Sequence, residues 1–206
     1  MNIIKGTNVD LIAPFPQGEV KRIFGWNHCY RTLAESDDVP NTMMEFTAFM
    51  EGLLGAYPSW GIIDKNHLTN ARHEAPLVGV IFFEPFTLRG GYIHFASARK
   101  AWKAGLLEEA LILVVNGLFE NAPSLARLGF YLSERNTPAK QLAKKLGFKF
   151  EGLFEDMIIH QGKPEGIACF GLTRRAWTPT PLPEGILVEE EPEDAPISLP
   201  LSAESA

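Results

Sequence analysis

Between Ser59 and Ser97 three apolar runs follow one another with only turns between them, and this succession constrains the fold most. Ser59–Asp64, Pro76–Pro85 and Tyr92–Ala96 read as strands, rich in β-branched and aromatic residues. The polar stretch Lys65–Ala75 is expected to turn the chain, and Gly90-Gly91 to break it again. Parallel neighbours need a long crossover, so strands joined this directly rule out a doubly wound parallel sheet.

The flanking segments supply helices. Gly18–Leu33 has a helical pattern with one polar side. Asn41 or Thr42 can cap a second helix, with Glu45 three or four residues on. Its apolar residues Met43, Phe46, Phe49, Met50, Leu53 and Leu54 recur at helical spacing, and Pro58 ends it. Leu107, Leu111, Val114 and Leu118 form one stripe of a long helix. Glu108 and Glu109 sit in its early turns, where the macrodipole favours acids, and Asn121-Ala122-Pro123 stops it. Leu125–Leu132 is a strand. Thr137-Pro138 opens a short helix as cap and first residue, and Gly147 closes it. Phe150–His160 and Gly166–Thr173 close the body as strands joined by a Gln161-Gly162-Lys163-Pro164 turn. The order predicts an α+β fold of mixed α/β character: a twisted, mostly antiparallel sheet with helices on both faces.

Composition matters where it excludes. No apolar run approaches the roughly 20 residues of a membrane span. Asp10, Pro14 and Pro16 argue against a signal peptide. Two cysteines, Cys29 and Cys169, make no disulfide framework, and a reducing, cytoplasmic compartment is expected. The net charge of −6 is unevenly spread. From Thr178 onward there are seven acids, no Lys or Arg, and six of the 15 prolines, so residues 178–206 read as an acidic, disordered tail. Residues 1–177, expected to form a single domain, are left near +1, with no electrostatic footprint for nucleic acid. His67 and His73 have no partner at metal spacing, so no metal is expected.

One stretch carries more specific information. Asn136-Thr137-Pro138-Ala139-Lys140-Gln141-Leu142-Ala143-Lys144-Lys145-Leu146-Gly147-Phe148, followed by Glu151-Gly152, resembles the N-x-x-A/S…K-L-G-F-x-x-E-G segment of GNAT N-acetyltransferases. It is most similar to the branch that includes the ribosomal-protein N-terminal acetyltransferases. The closing Leu172-Thr173-Arg174-Arg175-Ala176-Trp177 resembles that branch's last strand, and the likeness covers roughly Leu77 to Trp177.

The resemblance implies acetyl-CoA as co-substrate, lying between two splayed parallel strands, here Tyr92–Ser97 and Leu128–Ser133. The edge at Phe95, Ala96 and Ser97 would pair with the pantetheine amides, and Asn136 would contact the same arm or simply cap the short helix. The pyrophosphate would meet backbone N–H groups at the long helix's N-terminus. The family loop there is R/Q-x-x-G-x-G/A. In one register Gly105 is the first glycine, Trp102 replaces Arg or Gln, and Leu107 takes the second small position. In the other, Arg99 and Ala104 are kept and Trp102 falls on a glycine. The first register makes Trp102, Lys103, Ala104, Gly105 and Leu106 the cofactor loop. Lys100 and Lys103 could add charge there, and Lys140 and Lys144 could reach the 3′-phosphate.

Catalysis needs a group to take the amine's proton, an oxyanion donor and an acid for the thiolate. Three positions where the family carries such side chains hold Ala139, Ala143 and Ile158 here. His94, Asp156 and Ser133 are the candidate substitutes, with His160 on the strand face of Asp156 and Ser97 as a second strand-end hydroxyl. The resemblance therefore implies an N-acetyltransferase acting on a protein N-terminus, a lysine or a small amine, as a monomer or homodimer, with no nucleic-acid or membrane partner. The alternative is a GNAT-fold binding or structural protein that has lost catalysis.

Overall fold

The computed structural model describes residues 2–26, 40, 42–66 and 76–183. Eight strands form one sheet: β1 (Asn2–Lys5), β2 (Val9–Ala13), β3 (Ser59–Asp64), β4 (Leu77–Thr87), β5 (Gly90–Ser97), β6 (Arg127–Ser133), β7 (Lys149–His160) and β8 (Lys163–Thr173). They lie in the order β1-β2-β3-β4-β5-β6-β8-β7. Every neighbouring pair is antiparallel except β5 and β6. The helices are α1 (described over 20–26), α2 (Met43–Ala56), α3 (Arg99–Lys103), α4 (Leu106–Asn121) and α5 (Thr137–Lys145). The mixed, mostly antiparallel sheet with one splayed parallel pair is the fold class the strand succession and the resemblance predict.

Two cores flank the sheet. On one face α4 lays Leu107, Leu111, Val114 and Val115 against Ile81, Ile93, Leu128 and Phe130. On the other, Ile23 joins Phe46, Met50 and Leu54 of α2 over Val80 and Phe82. These α2 residues lie four apart, so they share one face, while Met43 and Phe49 stay exposed. Thr42 caps α2, accepting from Glu45 N at 3.2 Å and donating to its carboxylate at 2.8 Å.

The β1–β2 hairpin has no counterpart in the sequence reading. Val9 and Leu11 are fully buried and alternate with Asp10, but the run is only five residues long. Its anchor is remote. Glu109 of α4, fully buried, accepts from Asn8 N at 2.9 Å, Asn8 Nδ2 at 2.8 Å and Val9 N at 3.3 Å. A buried carboxylate needs such donors. Gly6 makes room for it, since a Cβ there would lie 2.5 Å from Oε1.

Three further expectations need correction. Gly90 and Gly91 do not break the chain but begin β5, the turn being Leu88-Arg89. A Cβ on Gly91 would meet the Phe83 ring and Glu84 O, each at 2.5 Å, so this pair serves close packing. The cap of α5 is Asn136 rather than Thr137. On β7, Asp156 has φ +51 at a register shift between Phe154 and Ile158. That bulge interrupts the period-two alternation linking Asp156 with Ile158 and His160.

Cys169 is a free, buried cysteine, and Cys29 lies outside the described residues. So do His67, His73 and 184–206 of the acidic tail. The tail's first residues lie against α4: Asn116 donates to Thr180 O at 2.9 Å and accepts from Trp177 Nε1 at 3.2 Å.

Candidate active site

The parallel pair holds together over only three positions, Gly90↔Arg127, Gly91↔Leu128 and Tyr92↔Gly129. Beyond them β5 stays paired to β4 as far as Ser97, and β6 to β8 as far as Ser133. Among the described residues, the facing edges after Tyr92 and Gly129 pair with no strand. Such edges present backbone donors and acceptors that must find other partners. At the open end lies a cavity of about 170 Å³, lined by Phe95, Trp102, Gly105, Glu108, Asn136 and Leu142 among others.

The α4 N-terminus faces this cavity. Gly105 precedes the helix with φ +70, a left-handed conformation that glycine adopts without strain. No side chain caps the helix, so Leu106, Leu107 and Glu108 present first-turn N–H groups. Ala104 N and Gly105 N are used within the loop, donating to Lys100 O and Trp102 O. Trp102 donates its indole N–H to the buried Ser97 hydroxyl at 2.6 Å, fixing the ring against the end of β5. Glu108 is paired with Lys145 of α5 at 2.7 Å, across the mouth.

Asn136 closes the other side. Its Oδ1 accepts from Ala139 N at 3.1 Å, which leaves the amide N–H₂ as donor. Lys140 reaches back to Glu134 O at 2.5 Å. The Lys103 side chain lies outside the described residues; its backbone ends α3. Of the sequence-predicted cofactor residues, the cavity lining brings together Phe95, Trp102, Gly105 and Asn136. Ala96 packs in the core on the other face.

Strand alternation sends His94, Tyr92 and Tyr131 to the face opposite the cavity, since Ile93, Phe95 and Phe130 pack beneath the helices. His94 Nε2 lies 2.9 Å from Glu84 Oε2, and its ring stacks on Phe82 at 4.6 Å. Tyr57 donates to the other Glu84 oxygen at 3.4 Å. Burial lowers the His94 pKa below 6.5, against the opposing pull of Glu84. Burial therefore favours the neutral ring. With Nε2–H given to the carboxylate, the lone pair sits on Nδ1.

Beside it, the Tyr92 and Tyr131 hydroxyls meet in a short contact. Burial, then the bond to Tyr92, push the Tyr131 phenol up to about 12. Arg127 pairs with Glu151 on the same face, a bond that raises the Arg127 pKa and lowers that of Glu151. The sequence reading missed both tyrosines, Glu84 and Glu108. Period-two alternation about His94 could have marked Tyr92, but not its partners on other strands.

Ser133 and Asp156 make no bond to His94. Ser133, buried, donates its hydroxyl to Glu165, which also pairs with Arg135. Asp156 is exposed on its bulge. Among the described residues no three His, Cys, Asp or Glu side chains are grouped as metal ligands, and no helix is long and apolar enough to cross a membrane.

A mixed sheet whose parallel pair parts beside an uncapped helix N-terminus is the architecture of the GNAT fold. The family model described as "Acetyltransferase (GNAT) domain" matches residues 9–149, more than half of the chain. The chain belongs to the GNAT acetyltransferase family.

Solved structures share the fold. A GCN5-related N-acetyltransferase from Brucella melitensis is 18% identical with a TM-score of 0.67, over 85% of this chain and 80% of that one. The ribosomal-protein-S5-alanine acetyltransferase from Vibrio fischeri is 14% identical with a TM-score of 0.65, over 87% and 100%. RimL, a ribosomal L7/L12 alpha-N-protein acetyltransferase in complex with coenzyme A, is 16% identical with a TM-score of 0.67, over 84% and 98%. No curated protein matches the sequence.

Proposed function

We propose that this protein is an acetyl-CoA-dependent N-acetyltransferase that acetylates a primary amine by direct aminolysis of the thioester. The observation that carries the reading is the juxtaposition of two unsatisfied backbone surfaces at one cavity. These are the parted edges of β5 and β6 and the uncapped N-terminus of α4. An extended amide-bearing chain ending in a pyrophosphate needs both, and RimL was solved with coenzyme A.

Acetyl-CoA supplies the activated acyl group. The N–H groups of Leu106, Leu107 and Glu108 hold the phosphates, the β5 edge at Phe95 to Ser97 orients the amide arm, and Asn136 adds its amide N–H₂. From the opposite face His94, oriented by Glu84, takes the proton that the neutral amine's nitrogen gives up as its new bond to carbon forms; the carbon–sulfur bond then breaks and coenzyme A leaves as the thiolate, which takes its proton from solvent. Holding the two reactants in place supplies much of the acceleration. Ser133 and Asp156 have no part in this scheme. One observation favours a second reading, a GNAT-fold protein without catalysis. Ala139 and Ala143 are buried in the core, so α5 offers no acid from those positions.

Thiol release from acetyl-CoA with an amine panel tests the scheme. His94→Gln should lower kcat/KM by about 100-fold at pH 7.5. The ratio of wild type to His94→Gln cancels the amine's own titration. His94 works deprotonated and its pKa is lowered, so that ratio should fall only as pH drops through a midpoint below 6.5. A flat ratio removes His94 as base. Absence of a melting shift with millimolar acetyl-CoA would sink the enzyme reading altogether.

A further inference from the structure

Across the face opposite the cavity runs an aromatic row that belongs to neither core. Phe86, Tyr92, Tyr131 and Phe154 come from β4, β5, β6 and β7, with successive ring centroids 4.7, 3.9 and 5.8 Å apart. Phe86 is 46% exposed, Tyr131 39% and Phe154 48%. Phe82, Phe83, Phe130 and Phe170 of the same sheet are buried. Single exposed apolar side chains are ordinary, but four touching in a line are not.

The row crosses the sheet where the parallel pair parts, since Tyr92 is the last β5 residue paired to β6. His94 lies two residues further along the same strand face. The charges around the row are mostly negative. Glu84 lies opposite Tyr92 on the neighbouring strand and so shares the face of the row. Arg127, on the same face, is neutralised by Glu151. Aromatic faces and carboxylates both attract a cation and repel an anion.

We infer that this row is the acceptor surface, and that it selects a primary amine carried on an aromatic or large aliphatic group, with the ammonium toward Glu84 and His94. The inference rests on the acetyltransferase reading for its location and adds the chemical class of the acceptor. The apolar group lies over Tyr131 and Phe154. An acceptor with a carboxylate beside its amine is disfavoured, because the Glu84 carboxylate repels it.

Calorimetric titration of the full chain at pH 7 tests this without turnover. The probes are 2-phenylethylamine, ethanolamine and 3-phenylpropionate. The first should bind about tenfold more tightly than either of the others, which lack the ring or the positive charge. Phe154→Ala, at an exposed site, should retain the fold by melting temperature and narrow the gap between the two amines. Tyr131→Phe, which keeps the ring, should preserve it. Equal binding of the two amines overturns the inference, as does binding of 3-phenylpropionate as tight as that of 2-phenylethylamine. A dimer in sedimentation that Phe154→Asp dissolves, with no amine bound, reassigns the row to contact between copies of the chain. Selective binding of 2-phenylethylamine without any response to acetyl-CoA would reject the acetyltransferase reading and leave this selectivity standing. Turnover that favours ethanolamine would do the reverse.

Discussion

Two helices begin at the mouth of one cavity and treat their first-turn N–H groups in opposite ways. In α5 each group is accounted for: Thr137 N donates to Arg135 O, Pro138 has none, and Ala139 N donates to the Asn136 side chain. In α4 the preceding residue is Gly105, which has no side chain to offer. The first of these helices is complete as folded. The second leaves its first-turn N–H groups without a side-chain cap. With glycine at the cap position the helix gives up only about a few tenths of a kcal/mol relative to a capping side chain. The difference shows which of the two N-termini is available to an anion.

The largest expected effect comes from closing the open one. Gly105→Glu forces a side chain into φ +70 and puts a carboxylate among the α4 N–H groups. We expect acetyl-CoA affinity to fall about 100-fold, combining strain of about 1 kcal/mol with the loss of the anion site. Gly105→Ala carries the strain without the charge and should fall between the two. If Gly105→Glu titrates acetyl-CoA like the wild type, α4 is not the phosphate site.

The closed N-terminus should respond in stability more than in affinity. Asn136→Ala removes the cap and should cost about 1 kcal/mol. That lowers Tm by about 2–4 °C for a chain of this size. Asn136→Ser restores a capping oxygen but no amide donor. It should recover the melting temperature while acetyl-CoA binding stays weakened. Recovery of both would reduce Asn136 to a cap.

The same contrast explains what could be read from the sequence. The segment from Asn136 to Gly147 is local: a capping amide, a proline in the first turn, and a glycine at φ +84 after the last one. Each acts on neighbours within a turn, so its meaning survives without the fold. Glu109 could be read locally as a first-turn acid, yet its carboxylate holds the β1–β2 turn about a hundred residues away. The aromatic row is distributed in the same way, with one ring from each of four strands. It becomes visible only once the sheet order is known. Trp102 stood out as a departure from the family loop, but its bond to Ser97 depends on where α3 folds back on β5.

Glu108 is where the open N-terminus is least suited to an anion, and it offers the smallest test. Its carboxylate lines the cavity and binds Lys145. It stabilises the helix start, yet stands where phosphate oxygens would lie. Lys145 is 67% exposed, so the pair itself contributes little to stability. Glu108→Gln removes the like charge and frees Lys145 to face the phosphates. Acetyl-CoA should then bind about two- to fivefold more tightly at low salt, with the gain shrinking as ionic strength rises. Lys145→Met leaves the carboxylate unbalanced and should weaken binding by a similar factor. Opposite signs for the two variants would mark the pair as a charge balance at the mouth. Tighter binding in both would instead mean that the bridge holds α4 and α5 together over the cavity, and that opening it matters more than the charge.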